Sequence, residues 1–564
     1  MSNYAMGPCL RRRVLVLLLA LVGAVAVGWA QAPPAPGDGP ATQGVGLIKN
    51  EPGAYQGYTL LSPLSSQSTY LIDMAGRVVN EWKAGSTPSS IAYLLENGHL
   101  LRAGAQPNSP YGGGVAGGGG KVQEFDWNGD LVWDFTYSSA NRIPHHDFIR
   151  LPNGNLLLIV QDRKTADEAI AAGRIASSVQ GSEVHADSLV EIKPTGKTTA
   201  EVVWEWQSWD HLIQDHDKTK ANFGDVAARP ERIDINFTVV ADRRANPDWT
   251  HFNAVAYNAK LDQLVVSLRN FSEIWVIDHS TNTKQASGST GGRSGKGGDL
   301  LYRWGNPRAY RAGTAADQKL FGQHNVHWIP DGLRGAGHLL LFNNGDTRPD
   351  ARYSSADELV LPVDANGRYA LTAGSKYGPE QAVWSYTAPN KTDFYSVNIS
   401  GVMRLPNGNT LICAGAPGIT FEVDPAGRVV WQYNLPAFAA ARGRGAGPAG
   451  AGAAGAGPAG AAPAGRGAGA QAGPGAAPRQ GGPAPGARAG GQPGAGAPAG
   501  AAAPGAGAPG AGRAAGPGRG GLGGNAGRNV FRAYRYGLDY PAFAGRKIVA
   551  GPPLDQIVAA SAPQ

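Results

Sequence analysis

The chain has 564 residues, of which 82 are glycine and 41 proline, while only 16% are charged and 8% aromatic. The formal charge of +7 is carried by the ends: removing eight arginines between residues 439 and 528 and the three at Arg11, Arg12 and Arg13 leaves 39 basic residues against 43 acidic. The folding part is mildly acidic, which excludes a basic groove for nucleic acid.

Residues 1–32 carry an arginine cluster at 11–13, an apolar run over 14–27 and small residues at Gly28, Ala30 and Ala32, the layout of a secretory signal. Export to the periplasm or the medium is expected. An uncleaved anchor is the alternative, and contact with a membrane arises only in that case. Cys9 leaves with a cleaved signal, so Cys413 is the lone mature cysteine, and neither an intrachain disulfide nor a cysteine metal cage can form. Residues 33–45 read as a Pro/Gly-rich spacer.

From residue 46 to 438 helical periodicity is nearly absent, and short runs of Val, Leu, Ile and Trp alternate with turn residues, an all-β pattern. Two hairpin modules recur. One is a strand, an Asp-x-x-Gly type of turn and a strand ending in tryptophan, at 70–82, 122–133, 189–206, 274–304, 358–384 and 421–431. The other is a strand, a Pro-Asn-Gly type of turn and a very apolar strand, at 91–102, 146–161, 251–268, 324–343 and 402–414. A hairpin cannot cover its own apolar faces, whereas four-stranded sheets stacked around an axis can, so the expected fold is a six-bladed β-propeller. A β-sandwich with irregular additions is the alternative.

Residues 439–528 are almost wholly Gly, Ala and Pro with scattered Arg, too poor in apolar side chains to offset the entropy of ordering. They are expected to be a disordered insert, looping between two strands of one closing blade. Residues 529–564 then supply a closing strand and the C-terminal tail, the strand being sought at 530–536.

Seven positions before the turn residue of each second module stand Ser90, His146, His251, His324 and Ser400. In a propeller, matched positions on inner strands ring one mouth of the central channel, so three histidines converge. Imidazole there suits acid/base chemistry, nucleophilic attack or metal ligation. His145 alternates to the other face, and His185, His211 and His216 read as solvated loop residues. The run Asn343-Asn344-Gly345-Asp346-Thr347-Arg348 places a guanidinium fork near the ring, suited to a tetrahedral anion, with Arg269 as a second anion contact. A Zn or Cu site on the ring histidines with Asp147 would have to bridge separate blades; no metal or cofactor is expected.

Four segments resemble the bacterial arylsulfotransferase family: 248–254 (DWTHFNA), 264–269 (LVVSLR), 322–324 (GQH) and 342–348 (FNNGDTR). The resemblance implies an exported six-bladed propeller that moves a sulfuryl group from a phenolic sulfate ester to another phenol, without a nucleotide donor. It implies His251, His324 and Arg348 as catalytic groups; His146, which has no counterpart in the family, is added from the ring, and with Asn253, Arg269, Asn344, Thr392 and Tyr395 is expected to contact substrate. The family's nucleophilic histidine is expected three residues before a Tyr-Ser pair; here that pair is Tyr395-Ser396 and the position holds Thr392. The expectation is therefore a sulfuryl-transfer site with an altered or missing nucleophile. The alternative is a non-catalytic propeller that binds an anionic or aromatic ligand. The partners implied are small aryl sulfates and phenols.

Overall fold

A computed structural model describes residues 39–112, 115, 117–179, 181–237, 247–439 and 527–561. The expected signal, most of the spacer and residues 440–526 of the expected insert lie outside the described residues. Among the described residues the strands form six sheets of four or five strands and one two-stranded pair.

Five blades follow chain order from the axis outward. The second blade comprises Pro88–Leu94, Leu100–Ala105, Gly120–Phe125 and Leu131–Thr136, and the third Arg142–Arg150, Leu156–Thr165, Glu183–Pro194 and Ala200–Gln207. The fourth is Phe252–Asn258, Gln263–Leu268, Glu273–Asp278 and Tyr302–Trp304. The fifth is His324–Trp328, Leu339–Asn343, Ser355–Leu359 and Trp384–Tyr386. The sixth is Gly401–Arg404, Thr410–Ala414, Ile419–Val423 and Val429–Asn434. Second strands such as Gln263–Leu268 and Leu339–Asn343 are buried along their whole length, because a blade is covered on both faces by its neighbours.

The first blade is assembled from both ends of the chain. Val530–Gly537 is its innermost strand and pairs antiparallel with Gly57–Pro63, Tyr58 facing Tyr536 and Leu60 facing Tyr534. This is the sixth copy of the Asn-turn module, split by the whole length of the propeller and therefore invisible to a local count. Gly46–Asn50 in turn adds a fifth strand outside the sixth blade. Residues 439–528 thus join the outer part of the sixth blade to the inner strand of the first, not two strands of one blade as expected. The six inner strands contact one another in a closed ring.

The terminal tryptophans explain why the second recurring pattern exists. Trp82, Trp206, Trp304 and Trp431 are buried, and each donates its indole N–H to a backbone carbonyl of the next blade, at Asp126, Gly298, Pro379 and Met74 respectively. Buried acids act similarly between blades. Glu358 pairs with Arg404, and Glu422 with Arg535 at 2.7 Å, both members of the latter pair having fully buried side chains. Removing one partner of such a pair strands a charge in the core and costs about 3–5 kcal/mol.

Candidate functional site

The inner strands begin irregularly. Their ladders slip between Pro88 and Ala92, opposite His146 between Leu158 and Val160, between Phe252 and Ala254, and between His324 and His327. At or beside these bulges His146, His251 and Asn325 have φ of 55°, 57° and 53°, and Ser400, at the start of the regularly paired sixth inner strand, has φ of 91°. A non-glycine residue in the left-handed region costs about 1–2 kcal/mol, and four fall at or beside one register. The bulge turns a side chain that would lie along the strand toward the axis.

Three imidazoles consequently gather at the axis: His146, His251 and His324 are 4%, 6% and 1% exposed. The rings of His146 and His251 stand 4.6 Å apart, edge to face. Each imidazole is oriented by a hydrogen bond at Nδ1. For His251 the partner is Asp248 Oδ2 at 2.5 Å. For His324 it is Asn344 Oδ1 at 2.7 Å, with the Gly322 carbonyl at 3.1 Å. Because the Asn344 amide donates to the carbonyls of Ser396 and Ile399, its oxygen must accept, so His324 carries its proton on Nδ1 and a lone pair on Nε2.

His146 is set by a longer chain. Asp187, with a fully buried side chain, accepts from His145 Nε2–H at 2.7 Å. His145 then has an accepting Nδ1, which receives Nδ1–H of His146 at 2.7 Å and leaves a lone pair on His146 Nε2. The other oxygen of Asp187 accepts from the Thr250 hydroxyl at 2.5 Å and the Phe252 N–H at 2.8 Å, so one carboxylate fixes both His146 and the turn that carries His251. His145 therefore belongs to the site and does not face away from it. His185 and His211 are also buried rather than solvated, His211 against Asp299 and the Ala286 carbonyl, whereas His216 is exposed.

Burial, followed by the positive fields of neighbouring His251, His145, His324 and Arg532, holds His146 well below the ordinary imidazole range. Burial and then Arg269 do the same for His324, against the Asn344 hydrogen bond, with His251 and Arg532 adding to the lowering. Both rings are neutral near pH 7, and no hydrogen bond holds the Nε2 of either among the described residues.

The remaining sequence candidates divide. Arg269 lies beside His324, its backbone N–H on the His251 carbonyl and its guanidinium on Asp346 at 2.7 Å, and Tyr395 donates to the same carboxylate at 3.4 Å. Asn344 orients His324. Asn253 braces two blades, donating to the Gln323 carbonyl at 2.8 Å while its own Oδ1 is buried without a partner. Arg348 turns back on its own loop, donating to the Tyr353 carbonyl and Ser355 hydroxyl and lying 4.3 Å over the Tyr353 ring. Thr392 is exposed on the short helix Lys391–Asp393 and bonds to Asn390, so neither it nor Arg348 joins the imidazoles. Asp187, Asp248, Asp346 and Arg532 were given no role in the sequence; Asp248, three residues before His251, and Asp346, two before Arg348, lay close enough to signal themselves.

Among the described residues no three His, Cys, Asp or Glu side chains are arranged to hold a metal ion. The family model described as Arylsulfotransferase (ASST) matches residues 47–443. The arylsulfate sulfotransferase AssT of Escherichia coli O6:H1 (strain CFT073) is 23% identical over 324 residues, 53% of this chain and 50% of that protein. The protein of the same name from Lelliottia amnigena is 24% identical over the same shares. The chain thus spans about half the length of these two relatives. A solved structure of a protein of unknown function from Bacteroides caccae aligns with a TM-score of 0.37 and 14% identity, over 67% of this chain and 94% of that one. With most of the propeller inside the matched region, the chain belongs to the arylsulfotransferase family.

Proposed function

We propose that the three imidazoles form a sulfuryl-transfer site, with His324 as the nucleophile. The observation that carries the reading is the free Nε2 lone pair of a buried, neutral His324 beside the guanidinium of Arg269. His324 Nε2 attacks sulfur of an aryl sulfate, the S–O bond to the phenol oxygen breaks, and the departing oxygen takes the Nε2 proton of His251, which enters the step as an imidazolium paired with Asp248 and leaves it neutral. A second phenol then returns a proton to His251 Nε2 as its oxygen attacks the sulfohistidine, restoring the free imidazole of His324. Arg269 offsets charge on the sulfuryl oxygens, in a buried site where such donors act strongly.

The partners at Nδ1 support this division of roles. His251 has a carboxylate, Asp248, which steadies the ring when it gains a proton. His324 has a neutral amide, which leaves it less basic and so a better leaving group from the sulfurylated state. His146, with its lone pair at Nε2, accepts a hydrogen bond from the incoming phenol. On this reading no nucleophile is missing, and Thr392 has no part in the chemistry. The donor and acceptor classes, aryl sulfate and phenol, follow the family and the names of the relatives. Export follows from the signal-like residues 1–32, and N-terminal sequencing of the mature protein checks it.

The test is turnover of a chromogenic aryl sulfate with a phenol acceptor. Purified protein releases phenolate, and rapid quenching without acceptor leaves the mass of one sulfuryl group on the peptide containing His324. His324→Ala abolishes both; an active His324→Ala variant refutes the assignment, and donor binding without turnover in the parent supports a ligand-binding propeller instead.

A further inference from the structure

Below the imidazoles, on the axis, lies a guanidinium that the chemistry above does not use. Arg532 belongs to Val530–Gly537, the closing strand, and its side chain is 2% exposed. It donates to Asp147 Oδ2 at 2.7 Å and to the Asn253 carbonyl at 2.8 Å, and its Nε is buried without a partner. Asp147 adjoins His146, and its other oxygen accepts from Tyr93 at 2.7 Å. Asn253 follows His251 by two residues. A Cβ on Gly401 would stand 3.0 Å from Arg532 Cγ, so the sixth blade also closes on this side chain.

We propose that Arg532 is a positioning residue of the sulfuryl-transfer site, locking the His146 and His251 strands together and placing a positive charge beneath the three imidazoles. A purely structural clamp would need only the pair with Asp147. The second arm of the fork reaches the strand of His251 instead, fixing the two histidine-bearing bulges against each other. Arginine suits this because its donors are set in one plane, so a single side chain spans two blades without freedom to rotate between them.

The charge has a second effect. Around His146 stand His145 on its own strand, His251 and His324 from the next two blades, and Arg532. Around His324 stand Arg269 and His251 from the fourth blade, Asn344 from its own, and Arg532. Carboxylates reach the group at Asp187 on His145, Asp248 on His251, Asp346 on Arg269 and Asp147 on Arg532. Arg532 lies on the side opposing protonation for both rings that need a free lone pair. Since it arrives on the strand after residues 440–526, the propeller has to close before the site acquires this charge.

The proposal rests on the sulfuryl-transfer reading, so its test has an activity readout and a titration without substrate, both on the full chain. In Arg532→Gln, kcat on a chromogenic aryl sulfate falls about a hundredfold, as a small misplacement of reacting groups does. The acid limb of kcat/KM moves to higher pH, and histidine-selective NMR titration gives higher apparent pKa values for His146 and His324. Arg532→Lys keeps the charge and leaves limb and titration near the parent's. Asp147→Asn retains Arg532 uncompensated and moves both the opposite way, to lower pH, which a shared loss of stability would not do. A parent without turnover refutes the sulfuryl-transfer reading while the titrations still judge Arg532. Titrations that coincide in the parent, Arg532→Gln and Asp147→Asn, or that shift together in one direction, overturn the role assigned to Arg532.

Discussion

Asp187→Asn is expected to reverse the protons of an entire hydrogen-bond chain while moving no heavy atom. In the parent one carboxylate oxygen takes the Nε2–H of His145, and the other takes the Thr250 hydroxyl and the Phe252 N–H. An amide has a single accepting oxygen, and the Phe252 N–H is a fixed donor that needs it. The amide NH2 therefore faces His145, whose Nε2 must become an acceptor. His145 then carries its proton on Nδ1 and donates to His146 Nδ1, which forces the proton of His146 onto Nε2, where the lone pair had been.

Three charge-assisted bonds become neutral ones, each weaker by about 1 kcal/mol, but a buried charge is also removed, so the net cost is about 1–2 kcal/mol. Asp187→Ala instead strands the Phe252 N–H and the His145 Nε2–H, at about 1–3 kcal/mol each, and adds a cavity. The alanine variant is thus the less stable of the two in denaturant unfolding. The asparagine variant folds, but transfer slows by about a hundredfold or more, the scale of losing one acid/base group. Long-range ¹⁵N imidazole spectra read the tautomers directly. If Asp187→Asn leaves His146 Nε2 unprotonated, or destabilises as much as Asp187→Ala, the relay as described is wrong.

Gly117→Ala tests the wall of the site: Gly117 has φ of 63°, its carbonyl accepts the His146 N–H at 3.0 Å, and an added Cβ would stand 3.1 Å from His146 Cγ and Nδ1. The expected cost is about 1–2 kcal/mol for the left-handed alanine, with a displaced His146 seen as changed imidazole shifts and slower turnover; unchanged turnover would place the Gly117 loop outside the site. His279, between Glu191 and Asp262 at 2.9 and 3.0 Å, gives a pH test. Burial opposes its charge, but the two carboxylate bonds outweigh burial and raise its pKa. Its contribution is complete below the unfolded imidazole value, near 6.5, and disappears as pH rises through the higher folded value. His279→Gln therefore costs more stability at pH 6 than at pH 8.5 in denaturant titrations, and an equal cost at both would exclude a charged His279.

Periodicity made the blades readable, since the blades repeat the same hairpins and four of them carry a buried tryptophan that reaches the next blade. The convergence of His146, His251 and His324 was readable for a related reason: a fixed offset from an Asn-type turn puts matched residues of successive inner strands at one level of the channel. Offsets fail in loops. Asn344 and Arg348 lie in one turn, yet the first meets His324 and the second folds back on Tyr353, because the direction of a loop side chain depends on partners that no period announces. Asp187 comes from another strand of the third blade and Arg532 from beyond residue 526, so sequence distance hid them.

The composition of the axis itself argues for chemistry. Asp187, His145, His146, Asp147 and Arg532 are all buried in the centre of the molecule, where side chains of the same size without charge would pack at lower cost. The bulges that aim three of the imidazoles inward add left-handed backbone at His146, His251 and Asn325. Elsewhere an inner strand need not be strained: the closing strand Val530–Gly537, which carries Arg532, has no residue in the left-handed region. The fold therefore tolerates an unstrained inner strand, and strained ones occur at the register where the imidazoles meet. A sequence that retains both costs at one mouth of the channel, with every Nδ1 given a partner and the Nε2 lone pairs of His146 and His324 left open, is arranged to react with a ligand and not merely to close a ring of sheets.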